Sequence, residues 1–451
     1  MASTYLTRTS TSGSRRIGTF SAWVKRGSLT TLNTLLDCYT SFEQNWFNIR
    51  FSAGDQIQAI GYDYTTGSFQ EQFELRPSRL FRDTNAWYHI VFSWDSTQAT
   101  ESNRLKFYVN GVQETSFARS VYPSQNEDFY INYNSIPYWI GRGGWNSNYF
   151  NGSMSHVHII DGTAYDASAF GSTDSTTGEW KINTSPSVTY GTNGAFILKD
   201  GNSVTDQSGN SNNFTVGAGT LTKTEDNPSN VFATGNFLIG VNSNGNALAP
   251  SFSNGNNTAT ATGSAWRVFK STLSASSGKY YAEFKWISDS NTRYAIVGIC
   301  DEDEYANKVS GFPLAHDMAN GHAIYSEDGN YITGGNSTSF GSAFSSTGDG
   351  IVGVAMDLDN SKVYFSSNGS WQGGGNPTNG TGGKSITANK TYTFNVNIYS
   401  VGSIVYSANY GNGYFGTTAV SSAGTNASGV GIFEYDVPTG YTALSTKGLN
   451  L

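Results

Sequence analysis

The chain has 451 residues, with 26 Lys and Arg against 34 Asp and Glu, a formal net charge of −8. Phosphate binding calls for a basic surface, so this balance speaks against a nucleic-acid partner; no apolar run has the length of a membrane span, so no membrane insertion is expected. Charged residues are 13% of the chain, about half the usual share, while 52 Gly, 27 Tyr, 27 Phe and 10 Trp suit twisted antiparallel sheets with glycine corners and exclude a helical protein.

Cys38 and Cys300 are the two cysteines, and they read as separate thiols rather than a disulfide framework. The opening MASTYLTRTSTSGSRR lacks the apolar core of a secretory leader, so synthesis and folding in a reducing cytoplasm are expected.

Short strand-like runs follow in order: residues 20–24, 34–38, 46–51, 57–62, 70–75, 87–94, 105–109 and 138–141. Gly, Asn, Asp and Ser punctuate them, the pattern of a sandwich or jelly roll. In 150–161 a glycine turn leads into a strand whose alternation puts Met154, His156 and His158 on one face and Val157 and Ile159 on the other. Trp87-Tyr88-His89, Val109-Asn110-Gly111, Ile140-Gly141-Arg142 and the 150–160 ending together resemble the laminin-G-like, concanavalin-type sandwich family. Asp206-Gln207-Ser208-Gly209-Asn210 resembles an element of the same family. The first domain is therefore placed at 1–224.

Residues 225–264, with Pro228, Pro250 and a polar tract, read as a linker or docking segment. The second domain, 265–415, opens with the alternating strand 278–286, then the buried-type run 296–299 and a hairpin around Asp328-Gly329. Its centre is the stretch 349–376: an apolar run, the acidic turn Asp357-Leu358-Asp359-Asn360, an alternating strand 362–365 and the tight-turn pair Asn368-Gly369. Residues 87–111 use the same plan, ending in Asn110-Gly111, which predicts two domains of related architecture. Gly278-Lys279-Tyr280-Tyr281, Val297-Gly298-Ile299, Tyr325 with Asp328-Gly329, residues 350–359 and Phe365 through Asn368-Gly369 resemble the SPRY family. The Gly/Asn loop 372–383 departs from many of its members. The last stretch, 431–451 (GIFEYDVPTGYTALSTKGLNL), resembles the closing segment of structural proteins of tailed bacteriophages, and Tyr5-Leu6-Thr7-Arg8-Thr9 and 158–171 with Gly178-Glu179-Trp180 are similar to such proteins as well. Residues 416–451 form a C-terminal extension in this reading.

Candidate chemistry is sparse. His156 and His158 could begin a zinc site, but further ligands are needed. Asp301–Glu304 (DEDE), Asp206 with Asn210, and Asp357 with Asp359 are calcium candidates that lack the spacing of a known loop; turn formation by aspartate is the alternative for the last pair. No carboxylate spacing marks a glycosidase pair, and no Gly-x-Ser-x-Gly elbow is present. No metal, cofactor or catalytic set is assigned. The better lead is a ring beside amides, which suits a sugar: Trp145, Asn146, Asn148 and Tyr149 in one glycine loop, Trp371 and Asn376 in another.

The sequence thus predicts an all-β chain, two concanavalin-like antiparallel sandwiches (jelly rolls) in tandem with a short C-terminal extension. The resemblances imply a non-enzymatic protein of the bacteriophage virion surface, a fibre or capsid decoration. Its partners would be other virion proteins, further copies of itself (a trimer if a fibre) and a host glycan or envelope receptor. A polysaccharide depolymerase and a SPRY-type peptide-binding adaptor are the alternative readings.

Overall fold

Strand after strand alternates core and surface residues, and the chain pairs them antiparallel almost throughout. The computed structural model describes all residues except 1–2, 40–44, 65–66, 145–147, 200, 202, 237, 239–248, 291–292, 308–316 and 345–349, and the side chains of 289–290, 293 and 305–307. It forms two compact units, Met1–Lys223 and Thr224–Leu451.

In the first unit the strands are, in chain order, β1 (Tyr5–Thr9), β2 (Ile17–Arg26), β3 (Asn33–Tyr39), β4 (Trp46–Phe51), β5 (Ile57–Asp63), β6 (Gln70–Pro77), β7 (Trp87–Asp95), β8 (Leu105–Val109), β9 (Val112–Gln113), β10 (Phe117–Val121), β11 (Pro137–Ile140), β12 (Gly152–Asp161), β13 (Gly171–Thr173), β14 (Trp180–Ile182), β15 (Ala195–Ile197) and β16 (Thr215–Ala218). A large sheet runs β10-β6-β5-β4-β3-β11-β1-β16 and a smaller one β15-β12-β2-β7-β8-β9. Their inner faces interdigitate as a sandwich core: Phe47, Ile49 and Phe51 from β4 and Phe73 and Leu75 from β6 meet Phe20, Ile90, Phe92 and Trp94. Residues 46, 48 and 50 therefore point to the outer face of the large sheet.

One alternation differs from expectation. A bulge in β12, between Ser155 and His158 in its register with β2, holds His156 at φ 49°. The extra residue shifts the period, so Met154 packs on the core side with Val157 and Ile159 rather than sharing a face with His158.

The second unit packs a sheet centred on Thr258–Thr262, Ser403–Asn409, Lys279–Ser290, Ile351–Asp357 and Lys362–Ser367 against one running Arg267–Lys270, Tyr392–Ser400, Arg293–Asp301 and Gly321–Tyr325. Phe284, Val352, Val354, Phe365, Phe394, Val396 and Tyr406 lie in its core. Residues 225–264, read as a linker or docking segment, supply Ser251–Ser253 and Thr258–Thr262 to the first of these sheets, because an unpaired edge strand takes a partner. The C-terminal residues fold back as well. Val430, Phe433, Val437 and Tyr441 cover Tyr281, Ala355 and Tyr364 on the outer face, and Thr442–Ala443 pairs parallel with Lys279–Ser290.

The hairpin plan read twice in the sequence recurs in geometry. Asn110-Gly111 takes φ 47° and 83°, and Asn368-Gly369 takes 47° and 78°. Each asparagine Oδ1 accepts a backbone N–H from the preceding strand, His89 in one case and Ile351 in the other, both at 2.8 Å.

Candidate functional site

The outer face of the large sheet in the first unit carries the densest polar and aromatic arrangement. One residue row crosses five neighbouring strands: Trp139 beside Asp37, Asp37 beside Asn48, Asn48 beside Ile60, and Ile60 beside Glu74. Flanking Asn48 on β4 are Trp46 and Arg50, both half-buried.

Asp37 is fully buried, although it points away from the core. Its Oδ1 accepts the Trp46 Nε1–H at 2.6 Å, and its Oδ2 accepts the Gly144 N–H at 2.6 Å. Burial pushes its carboxyl up to about 7, against the pull of these donors, Asn48 and the Arg50 charge. The Trp46 ring stacks on Tyr62 (5.9 Å, 18°), its cross-strand partner, and the Arg50 guanidinium lies 5.0 Å from the Trp46 ring centroid. Arg50 Nε–H donates to Gln58 Oε1 (3.0 Å), and Gln58 Nε2–H to Glu74 Oε1 (2.7 Å). Arg119, from β10, closes the chain on Glu74 and Glu71 at 2.7 and 2.6 Å. Apart from Asn48, each group is fixed by its neighbour, so the face is a largely pre-organised set of polar groups bordered by rings. Such a surface can offer hydrogen bonds and an apolar ring contact to a flat hydroxylated ligand.

The loop after β11 adjoins this face. Arg142 sits over Tyr5, Trp139 and Tyr149, at 4.8, 5.3 and 5.9 Å from their ring centroids. Tyr149 is thereby placed at one side of the face, and the Asn148 carbonyl accepts N–H groups of Thr34 and Gly143. Trp145 and Asn146 lie outside the described residues. Trp371 and Asn376 belong to the second unit. Trp371 is half-buried, edge-on to Tyr281 at 6.3 Å, and packs into the cluster made by the C-terminal residues. Asn376 is a turn residue: its backbone pairs with Thr381 and its Oδ1 accepts the Asn379 N–H. Asp37, Trp46, Asn48, Arg50, Gln58 and Glu74 were not singled out in the sequence. The available signal was the alternation in β4, where every second residue is Trp, Asn or Arg.

The other candidates form structure. Asp206 accepts the N–H groups of Phe196, Ser208 and Asn212, and Asn210 bonds the Gly191 and Gly194 carbonyls. Asp357 caps its own turn through Asn360 and pairs with Lys279 at 3.0 Å; Asp359 accepts the Gly278 N–H. Asp301 pairs with Lys390, Glu302 with Lys270, and Glu304 accepts the N–H groups of Ala319 and Asn320. Among the described residues no group of three or more His, Cys, Asp or Glu is arranged to hold a metal ion.

The histidines are also held. Trp180 Nε1–H donates to His89 Nδ1 at 3.0 Å, so His89 carries its proton on Nε2, which faces Ser21 Oγ at 2.9 Å. Burial pulls His89 down to about 3 and His158, bonded to the Tyr190 hydroxyl, well below the usual histidine range.

No characterised protein compared by sequence matches the chain. Among solved structures it is similar to a native heptameric SAP-like pentraxin from Limulus polyphemus (15% identity, 36% of this chain and 71% of that one, TM-score 0.27). It is also similar to the SPRY domain of human HERC1 (14% identity, 34% and 87%, TM-score 0.26). Residues 2–169 match the family described as the concanavalin A-like lectin/glucanases superfamily, and the sandwich that carries the polar face is of that concanavalin type.

Proposed function

We propose that this protein is a non-enzymatic binding protein that engages glycans through the outer face of its first sandwich. The observation that carries the reading is the row Asp37–Asn48–Glu74 with its Trp46, Tyr62 and Arg50 border, polar groups beside half-buried rings. The superfamily matched by residues 2–169 is named for lectins and glucanases, which fits a saccharide ligand.

Binding rather than hydrolysis is favoured by spacing. Asp37 and Glu74 stand three strands apart, roughly 14 Å, whereas glycoside hydrolysis needs carboxyls about 5–9.5 Å apart. Glu74 is moreover engaged by Arg76, Arg119 and Gln58.

We place this binding on the surface of a bacteriophage particle, as a fibre or capsid decoration in homo-oligomeric form. The support for that is the resemblance of residues 431–451 and the opening segment to phage structural proteins. Labelled antibody on purified virions tests the location: undecorated particles would refute it. A glycan array tests the ligand class, and release of new reducing ends from a bound polysaccharide would replace the binding reading with a depolymerase.

A further inference from the structure

The large sheet's outer face contains a buried side chain whose hydrogen-bonding groups the fold satisfies poorly. Asn48 is fully buried, and neither its Nδ2 nor its Oδ1 makes a hydrogen bond of good geometry among the described residues. It adjoins the Asp37 carboxyl closely enough to help hold the charged form there. Beyond that contact the buried amide keeps unused donor and acceptor capacity, which costs stability and points to a role outside the fold.

Trp46 and Arg50 stand two residues either side of Asn48 on the same face of β4, about 13 Å apart along a strand. The Arg50 side chain nevertheless reaches the Trp46 ring, so the two close over the residue between them. Unlike Arg76 and Arg119 on the same face, Arg50 makes no ion pair among the described residues. Its one hydrogen bond there runs from Nε to the neutral Gln58. Among the described residues its terminal nitrogens thus keep a planar, two-pronged donor set for a carboxylate.

We propose that Arg50 and Asn48 form a subsite for a carboxylate-bearing pyranose, a uronate or related acidic sugar. Arg50 swings from Trp46 to pair with the sugar carboxylate, and the uncovered Asn48 amide donates to and accepts from sugar hydroxyls. The freed edge of the Trp46–Tyr62 stack borders the apolar side of the ring. No bond is made or broken. The subsite rests on the glycan-binding reading above and specifies its ligand class.

The test uses the full chain and an array of uronic-acid oligosaccharides of gluco, galacto and manno configuration, each printed beside its carboxyl-reduced counterpart. Intrinsic tryptophan fluorescence is followed in solution for the ligands that bind, with Trp46→Phe as the variant that assigns the change to Trp46. The expected result is binding to at least one uronate, weakened about tenfold or more by carboxyl reduction and by Arg50→Gln to the same degree. Arg50→Gln should not weaken the reduced ligand further. Asn48→Leu should weaken both forms while raising thermal stability, which separates lost contacts from misfolding. Equal affinity for acid and reduced forms, or acid binding indifferent to Arg50→Gln in a variant with unchanged near-UV circular dichroism, overturns the acidic subsite and leaves glycan binding standing. Absence of binding to any array member, acidic or neutral, overturns both.

Discussion

The Trp46 indole N–H points at the buried Asp37 carboxylate at 2.6 Å, so one side chain supplies both the wall of the polar face and the hydrogen bond that keeps its floor charged. Trp46→Phe keeps a ring and removes the donor. Because Asp37 titrates at about 7, the lost bond matters most when the group is ionised. The variant should be destabilised by about 1–3 kcal/mol at pH about 8.5 and by clearly less at about 5.5. Urea unfolding at the two pH values checks this; an equal loss at both would contradict the assignment.

Glu283 is a fully buried carboxylate of the second unit. It accepts the N–H groups of Glu434 and Tyr435 at 2.8 Å, the Asn409 amide at 3.2 Å and the Tyr281 hydroxyl at 3.2 Å. Burial raises it from 4.5 to about 7 despite these donors. The folded state thus holds a proton that the unfolded chain releases between those values. The stabilising contribution of the protonated group is complete below about 4.5 and disappears as pH rises through about 7, at most about 3 kcal/mol. His89, His158 and His322, all depressed by burial, act in the opposite sense below the usual histidine range. The measurement is therefore a difference: wild type minus Glu283→Gln stability, which should fall as pH rises from about 5 to 8. A flat difference would show that Glu283 does not titrate there.

His89 should remain neutral, with its proton on Nε2, down to pH about 3, because Trp180 can only donate to Nδ1. Nitrogen-15 chemical shifts of the ring across an acid titration report both tautomer and charge. Protonation near the ordinary value of 6.5 would mean that the Trp180 contact opens in solution.

How much of this was readable beforehand depended on what set each feature. Strands such as 46–51 and 87–94 announce themselves by alternation, and Asn-Gly pairs by their need for two positive φ values. The β12 bulge did not, since one inserted residue leaves local composition unchanged while moving Met154 to the other face. Trp371 read as an exposed ring because it lies in a polar loop between Gly369 and Gly373; the residues that pack on it arrive from far along the chain. Asn48 and Asp37 were invisible for a related reason: their environment is created by cross-strand partners and by an arginine two residues away folding back over the strand.

The C-terminal residues should prove integral to the second unit rather than appended. Phe433 is 1% exposed and packs edge-on to Tyr281 at 5.1 Å. Phe433→Ala should cost about 3–5 kcal/mol, seen as a lowered denaturation midpoint for the second unit with the first unchanged. A loss within about 0.5 kcal/mol would place the segment among surface decorations.

The paired Asn-Gly turns also bear on how the molecule ages. Deamidation at such a pair begins when the glycine nitrogen attacks the asparagine side-chain carbon. In both turns the asparagine amide is tethered to a strand N–H, and the glycine lies under a ring, Trp180 over Gly111 and Tyr435 over Gly369. Native protein should therefore keep Asn110 and Asn368 intact in peptide maps after prolonged incubation, and denatured chain should lose both. The turns that set the hairpin registers double as chemical clocks that run only while their own unit is open.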